Sequence, residues 1–307
     1  SLPTMSTAPS RIELLDPEAL GKAGHLEMLS MNVVDGVLSG LHRSTLKGGC
    51  FEFAEHRAYS AGDEIRLIDW RVYAKSDRYY IKQFEEETNL QAVMVVDASG
   101  SMKYGQSTVS KLDYARVACA CLSRLMLRQR DAVGLALIDQ KMRQYIPPRA
   151  QAHHLQAILD ALRRTEAGGM TSLAGNLQEI ARRVKRRGMI IIFSDCFGEL
   201  EPLKKAIHQL RLRGHEVLIF HVLAPEERTF PFDRFSQFEC FEEDGLRIDL
   251  DPPSIRRRYL ERMQAYLDDL QKSCLQLSCE YVPLTTDADL GDTLAYYLSR
   301  RAARAKK

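Results

Sequence analysis

Residues 93–102, Val-Met-Val-Val-Asp-Ala-Ser-Gly-Ser-Met, decide how this chain is read. Val93 to Val96 form an apolar run that ends at Asp97, and hydroxyls follow at Ser99 and Ser101. A short continuous apolar run bounded by turn residues marks a strand buried on both faces. Open α/β sheets hold ligands in the loops at the carboxyl ends of such strands. Asp-x-Ser-x-Ser offers three hard oxygen donors on one loop, a set that suits Mg²⁺ or Mn²⁺ better than a softer ion. A strand-to-helix connection with a serine N-cap accounts for the same segment without any ion.

Two later segments extend the pattern. Gly168-Gly169-Met170-Thr171-Ser172 leads into Leu173, Leu177, Ile180, Ala181 and Val184. That helical spacing puts Thr171 on a glycine-flexed loop, as an N-cap or as a further hydroxyl donor. Met189 to Phe193 repeats the first design, with Ser194 and Asp195 at the strand end. Two strand-end aspartates, two spaced serines and a loop threonine together resemble the metal-ion-dependent adhesion site of von Willebrand factor A domains. The resemblance implies that Ser99, Ser101 and Thr171 approach a divalent cation, Mg²⁺ or Mn²⁺. Asp97 and Asp195 would act directly or through water, and one coordination position stays open for a partner's carboxylate. Met170 is bulky for its place and is expected to narrow the access route.

The rest of the chain alternates strand and helix. Helices are expected over about 111–129, 151–164, the stretch after Thr171, about 200–210, 254–275 and 289–304. Strands are expected at 132–138, 142–146 (an edge strand stopped by Pro147-Pro148), 216–223 and 280–284. This order predicts an α/β fold, a Rossmann-like (von Willebrand A) mostly parallel six-stranded sheet with helices on both faces. The Asp97 and Asp195 strands should be neighbours at the switch point, so that their loops converge. Residues 228–251 break the alternation with five phenylalanines, then Glu243-Asp244-Gly245 and the alternating Leu246 to Leu250. Asp-Gly between alternating runs predicts an inserted hairpin. Its phenylalanines either pack it down or face a partner.

Before the sheet, residues 1–16 are read as a disordered tail or remnant. Residues 17–88 are read as a smaller α+β module, with a helix over 17–39, and residues 89–305 as the von Willebrand A-like domain. Within the module, Phe51-Glu52-Phe53-Ala54-Glu55, Tyr59-Ser60-Ala61-Gly62-Asp63, Arg66-Leu67-Ile68-Asp69-Trp70-Arg71 and Tyr80-Ile81-Lys82-Gln83-Phe84-Glu85-Glu86-Glu87 occur in this order before Asp97. These motifs resemble the bacterial "domain of unknown function 58" family over about residues 47–300. The resemblance implies an adaptor or chaperone-like partner of a MoxR-type AAA+ ATPase and its client. Asp63, Arg66, Asp69, Trp70 and Arg71 either fix how the module docks on the core or form a surface for that ATPase.

Composition sets further bounds. The chain has 307 residues and a formal charge of +2, which gives no electrostatic case for nucleic acid. The clusters at 185–187, 256–258 and 300–307 are separate, and the tail alone suits a weak contact with an acidic surface or headgroups. No apolar run is long enough to span a bilayer, and no signal peptide is visible. Seven cysteines without a Cys-x-x-Cys pair suit reduced thiols in a cytoplasm. Cys196 is expected to be accessible but inert, and His153-His154 to lie on a helix surface. No phosphate-binding glycine motif occurs, so the chain itself should bind no nucleotide. The expectation is a non-enzymatic interaction module. A Mg²⁺-dependent hydrolase using the same aspartates and a purely structural assembly protein are the alternatives.

Overall fold

A computed structural model describes residues 25–45, 57–58, 80–81, 90–106, 109–232, 236–239, 247–250 and 252–305. In chain order the helices are α1 (His25–Thr45), α2 (Lys111–Arg128), α3 (His154–Arg164), α4 (Leu173–Arg183), α5 (Leu200–Leu212), α6 (Pro225–Thr229), α7 (Pro252–Gln276) and α8 (Leu290–Ala305). The strands are β1 (Arg57–Ala58), β2 (Tyr80–Ile81), β3 (Gln91–Asp97), β4 (Ala132–Ile138), β5 (Met142–Arg149), β6 (Met189–Ser194), β7 (Glu216–Leu223), β8 (Ser236–Glu239), β9 (Arg247–Leu250) and β10 (Glu280–Thr285).

Six strands form one sheet in the order β10-β7-β6-β3-β4-β5. All its pairings are parallel except β4 with β5, which is antiparallel. This is the α/β, Rossmann-like mostly parallel six-stranded sheet that the alternation predicts, and β3 and β6 are neighbours as required. The central strands are buried from Ala92 to Asp97 and from Met189 to Ser194, so their side chains alternate between two cores. Ala92, Met94 and Val96 pack with α1, α2, α3 and α8 on one face. Val93 and Val95 pack with α4, α5 and α7 on the other.

Helix α2 departs from the one-faced amphipathic reading. Residues on nearly every side of it are buried, including Leu112, Tyr114, Val117, Cys119, Ala120 and Cys121. The reason is a second layer: Leu26, Leu29, Val34 and Val37 of α1 and Leu294 and Tyr297 of α8 belong to the same core. The first helix thus packs on the sheet domain; it is described from His25 to Thr45, and residues 17–24 of the expected helix lie outside the described residues. Of the expected strands before residue 89, the described part is the antiparallel pair β1–β2.

Strand β5 runs through Pro147 and Pro148 to Arg149 instead of stopping before them. A proline costs no ladder bond where its missing N–H faces solvent at a sheet edge. The inserted hairpin is present as the antiparallel pair β8–β9, preceded by the short helix α6. Phe230 at the end of α6 is buried and packs on Tyr259 with ring centroids 4.6 Å apart. Cys196 is 3% exposed and His154 is 7% exposed, so neither lies at the surface as expected. Helix α7 covers Cys196 through Tyr266, and the His154 ring is turned onto the backbone of Val133 in β4 and Pro147 in β5. Among the described residues, no helix is long and apolar enough to cross a membrane.

Candidate functional site

The loops after β3 and β6 meet because the strands are adjacent, parallel and in register from Ala92–Met189 to Val96–Phe193. Asp97 is 1% exposed and Asp195 is 1% exposed. Asp97 Oδ1 accepts the Ser99 N–H at 3.0 Å, the aspartate turn that aims the loop. Its Oδ2 accepts the Ser194 hydroxyl at 2.6 Å. Ser194 Oγ in turn accepts the Cys196 N–H at 2.9 Å, so this one hydroxyl ties the two strand ends together. Ser99 Oγ and Ser101 Oγ lie 3.2 Å apart.

The loop that carries Thr171 is drawn to the same place. Gly100 N–H donates to the Gly169 carbonyl at 2.8 Å, and Gly168 N–H donates to the Ala98 carbonyl at 2.9 Å. Gly169 has φ +77°, a conformation that glycine adopts without strain. Arg143 braces the loop from outside, donating to the Asp139 carboxylate and to the carbonyls of Glu166 (2.6 Å) and Gly168 (2.8 Å). Asn176 Nδ2 donates to the carbonyls of Asp139 and Ser172. Thr171 is half-buried, Ser172 rather than Thr171 occupies the N-cap position of α4, and Met170 is 48% exposed. Among the described residues the Thr171 hydroxyl makes no hydrogen bond.

Asp195 stands in a denser network. Its Oδ1 accepts the Phe197 N–H at 3.2 Å, and its backbone carbonyl accepts from His221 Nε2 at 2.7 Å. A carbonyl only accepts, so Nε2 carries the proton, and Nδ1 of the neutral ring then accepts the Tyr281 hydroxyl at 2.7 Å. Burial holds the His221 pKa down at about 4.

Asp195 Oδ2 accepts from Lys111 Nζ at 2.7 Å. The same ammonium donates to Glu227 Oε1 at 2.6 Å, and Glu227 Oε2 accepts the Ala224 N–H at 2.8 Å. Lys111 is entirely buried, with the Phe197 ring centroid 5.0 Å from its Nζ. Burial alone would lower its pKa, but the charges of Asp195 and Glu227 outweigh it and hold the ammonium above its ordinary value. Burial, then the nearby Asp195 charge, push Asp97 up to about 6.

Lys111, Ser194, His221 and Glu227 were not singled out by sequence reasoning. Lys111 alone left a signal: it is the first residue of α2, where the helix dipole disfavours a cation. The expected site residues Asp97, Ser99, Ser101 and Asp195 converge, and the Thr171 loop lies beside them. Asp63, Arg66, Asp69, Trp70 and Arg71 lie outside the described residues.

The donor chemistry fits a small hard cation. Mg²⁺ at its usual 2.0–2.1 Å octahedral distances holds neighbouring ligand oxygens about 3 Å apart, close to the 3.2 Å between Ser99 Oγ and Ser101 Oγ. Both oxygens of Asp195 and both of Asp97 already accept hydrogen bonds, which suits action through water for either carboxylate. Among the described residues no group of three or more His, Cys, Asp or Glu is placed to hold a metal. Any ion here would therefore rest on the hydroxyls as well as on Asp97.

Residues 55–267 match the family described as "Protein of unknown function DUF58". An uncharacterized protein of Mycobacterium tuberculosis is 27% identical over 305 residues, covering 97% of this chain and 96% of its own. One from Mycobacterium bovis matches to the same extent. Among solved structures, BatB from Bacteroides thetaiotaomicron gives a TM-score of 0.46 at 14% identity, over 70% of this chain and 99% of that one. An aerotolerance-related membrane protein from Bacteroides fragilis gives 0.47 at 14%, over 70% and 99%. The SpRpn10 VWA domain gives 0.39 at 12%, over 67% and 93%.

Proposed function

The chain belongs to the DUF58 family, and from that premise we propose that it is a protein–protein interaction module whose contact is made through a divalent cation. Ser99, Ser101 and Thr171 would be the hydroxyl ligands of Mg²⁺ or Mn²⁺, with Asp97 and Asp195 acting directly or through the ion's water shell. The ion would supply a positive charge to which an Asp or Glu of the partner can bind. The observation that carries this reading is the pair of adjacent hydroxyls, Ser99 Oγ and Ser101 Oγ at 3.2 Å, beside a buried aspartate. Charge supports it too. With Asp97, Asp195 and Glu227 ionised against Lys111, the cluster carries a net −2, which one divalent ion balances. The family resemblance names the partner we propose, a MoxR-type AAA+ ATPase acting on a client.

The reading is of binding and not of turnover, because the Asp97 and Asp195 carboxylates are already engaged as hydrogen-bond acceptors. A second reading takes the Lys111 ammonium as the resident cation and the cluster as purely structural, favoured by its 2.7 Å contact with Asp195. Calorimetric titration of Mg²⁺ and Mn²⁺ into chelator-treated protein separates the two. Saturable one-site binding that the Ser99→Ala, Ser101→Ala double variant loses supports the cation-bridged module. Absence of binding at millimolar metal, with or without an acidic partner present, supports the structural cluster.

A further inference from the structure

We propose that the end of the sheet opposite the aspartates is a docking face for an anionic phospholipid surface. The face is built from two helix-to-strand connections, residues 184–188 before β6 and 213–215 before β7. They lie side by side because Met189 pairs with Glu216. Arg213 Nη1 donates to the Ala181 carbonyl at 2.6 Å, and the Arg187 side chain lies over Gly214, where an added Cβ would meet its Cδ at 3.0 Å. The two connections therefore form one continuous surface.

Arg182, Lys185, Arg186, Arg187 and Arg213 of this surface are exposed. Among the described residues none of them pairs with a carboxylate. Arg183 and Arg301 at its margin do pair, with Glu179 and Glu216. Basic side chains in a last helical turn answer the negative end of the helix dipole, which accounts for Arg182. Lys185, Arg186 and Arg187 lie beyond the end of α4 at Arg183, so that account does not reach them.

Leu212, the last residue of α5, stands among these cations and is 73% exposed. Leu275, near the end of α7 on the same side of the sheet, is 80% exposed. Arginine and lysine serve any phosphate-bearing partner, but leucines projecting beyond them serve one that has an apolar layer beneath its phosphates. That combination selects a bilayer surface over a nucleic acid. Six residues of β6, at about 3.3 Å each, put roughly 20 Å between this face and Asp195. The aspartate end would stay open while the basic end is docked.

The test is co-sedimentation of the full chain with phosphatidylcholine vesicles, with and without phosphatidylglycerol, beside single-stranded RNA binding. Binding is expected only to the anionic vesicles and to weaken with salt. Each removed charge should weaken it about fivefold, so Lys185→Glu with Arg186→Glu loses at least about 25-fold. Leu212→Ala, at unchanged charge, should lose several-fold and keep the wild-type circular dichroism. No binding to phosphatidylglycerol vesicles at low salt overturns the proposal. So does vesicle binding that Leu212→Ala leaves unchanged, or RNA binding as tight as vesicle binding.

Discussion

Lys111 Nζ donates to Asp195 Oδ2 at 2.7 Å across 84 residues of sequence, with neither side chain more than 1% exposed. Removing one partner of a buried pair leaves the other charge uncompensated, at a cost of about 3–5 kcal/mol. Lys111→Met is therefore expected to lower stability by about that much, since Asp195 and Glu227 both lose their cation. Urea denaturation measures it. A loss below about 1 kcal/mol would mean that the cluster is solvated.

Burial shifts Asp97 and His221 in ways that oppose each other in pH. Asp97 rises from about 3.9 unfolded to about 6 folded, so its contribution to stability is full below about pH 4 and is lost as pH rises through about 6. His221 falls from about 6.5 unfolded to about 4 folded. Its contribution is present above about pH 6.5 and lost as pH falls through about 4. Each is worth on the order of 3 kcal/mol, so metal-free wild type should be nearly flat across this window as far as these two groups decide it. Asp97→Asn should expose the histidine and lose stability toward acid. His221→Gln should expose the aspartate and lose stability toward neutral pH. Denaturation in chelator from about pH 4 to pH 7 reads both slopes, and parallel profiles for the two variants would refute the assignment.

Cation binding should weaken below about pH 6, because the protonated Asp97 carboxyl must give up its proton to serve as a ligand. Calorimetry in two buffers of different ionisation heat should detect that proton on binding. A cation affinity that stays constant from neutral pH to about pH 5 would remove Asp97 from the ligand set.

Arg143 holds the Thr171 loop through Asp139, Glu166 and Gly168 without a hydrogen bond to Asp97 or Asp195. Groups that orient ligands from outside typically alter metal affinity by 10–100-fold. Arg143→Ala should weaken Mg²⁺ binding at least about tenfold while global stability moves by less than about 1 kcal/mol. Hydrogen exchange should rise in residues 165–172, and unchanged exchange there would place the bracing elsewhere.

Helix α7 ends in a Schellman motif, with Cys279 N–H donating to the Cys274 carbonyl and Ser278 N–H to that of Leu275. Ser278 takes φ +51° there, whereas α5 puts Gly214 at the matching position with φ +84°. Ser278→Gly should raise stability by about 0.5–1 kcal/mol, the left-handed penalty of a side chain less the added freedom of the unfolded chain. Thermal unfolding decides the sign.

The strand ends were legible because burial on both faces writes an uninterrupted apolar run, and Asp97 and Asp195 each close one. Adjacency of β3 and β6 followed from the alternation of elements. Lys111 was not legible in the same way, because its partners are 84 and 116 residues away and local periodicity carries no such distance. The depth of α2 was hidden for a related reason. Its outer face is covered by α1 and α8, from opposite ends of the chain, so Cys119 and Cys121 are both buried despite pointing apart. Proline was read too strictly at β5, since an edge strand has one row of donors that no neighbour uses.

Both borders of the six-stranded sheet contain proline, Pro147 and Pro148 in β5 and Pro283 in β10. A border strand with interrupted donors is a poor template for another chain's backbone. The sheet is thus guarded against growing sideways into a stack of copies. A partner that joined this sheet by adding a strand would meet gaps in the ladder at either border, so side-chain chemistry and not backbone pairing is left to decide what is accepted.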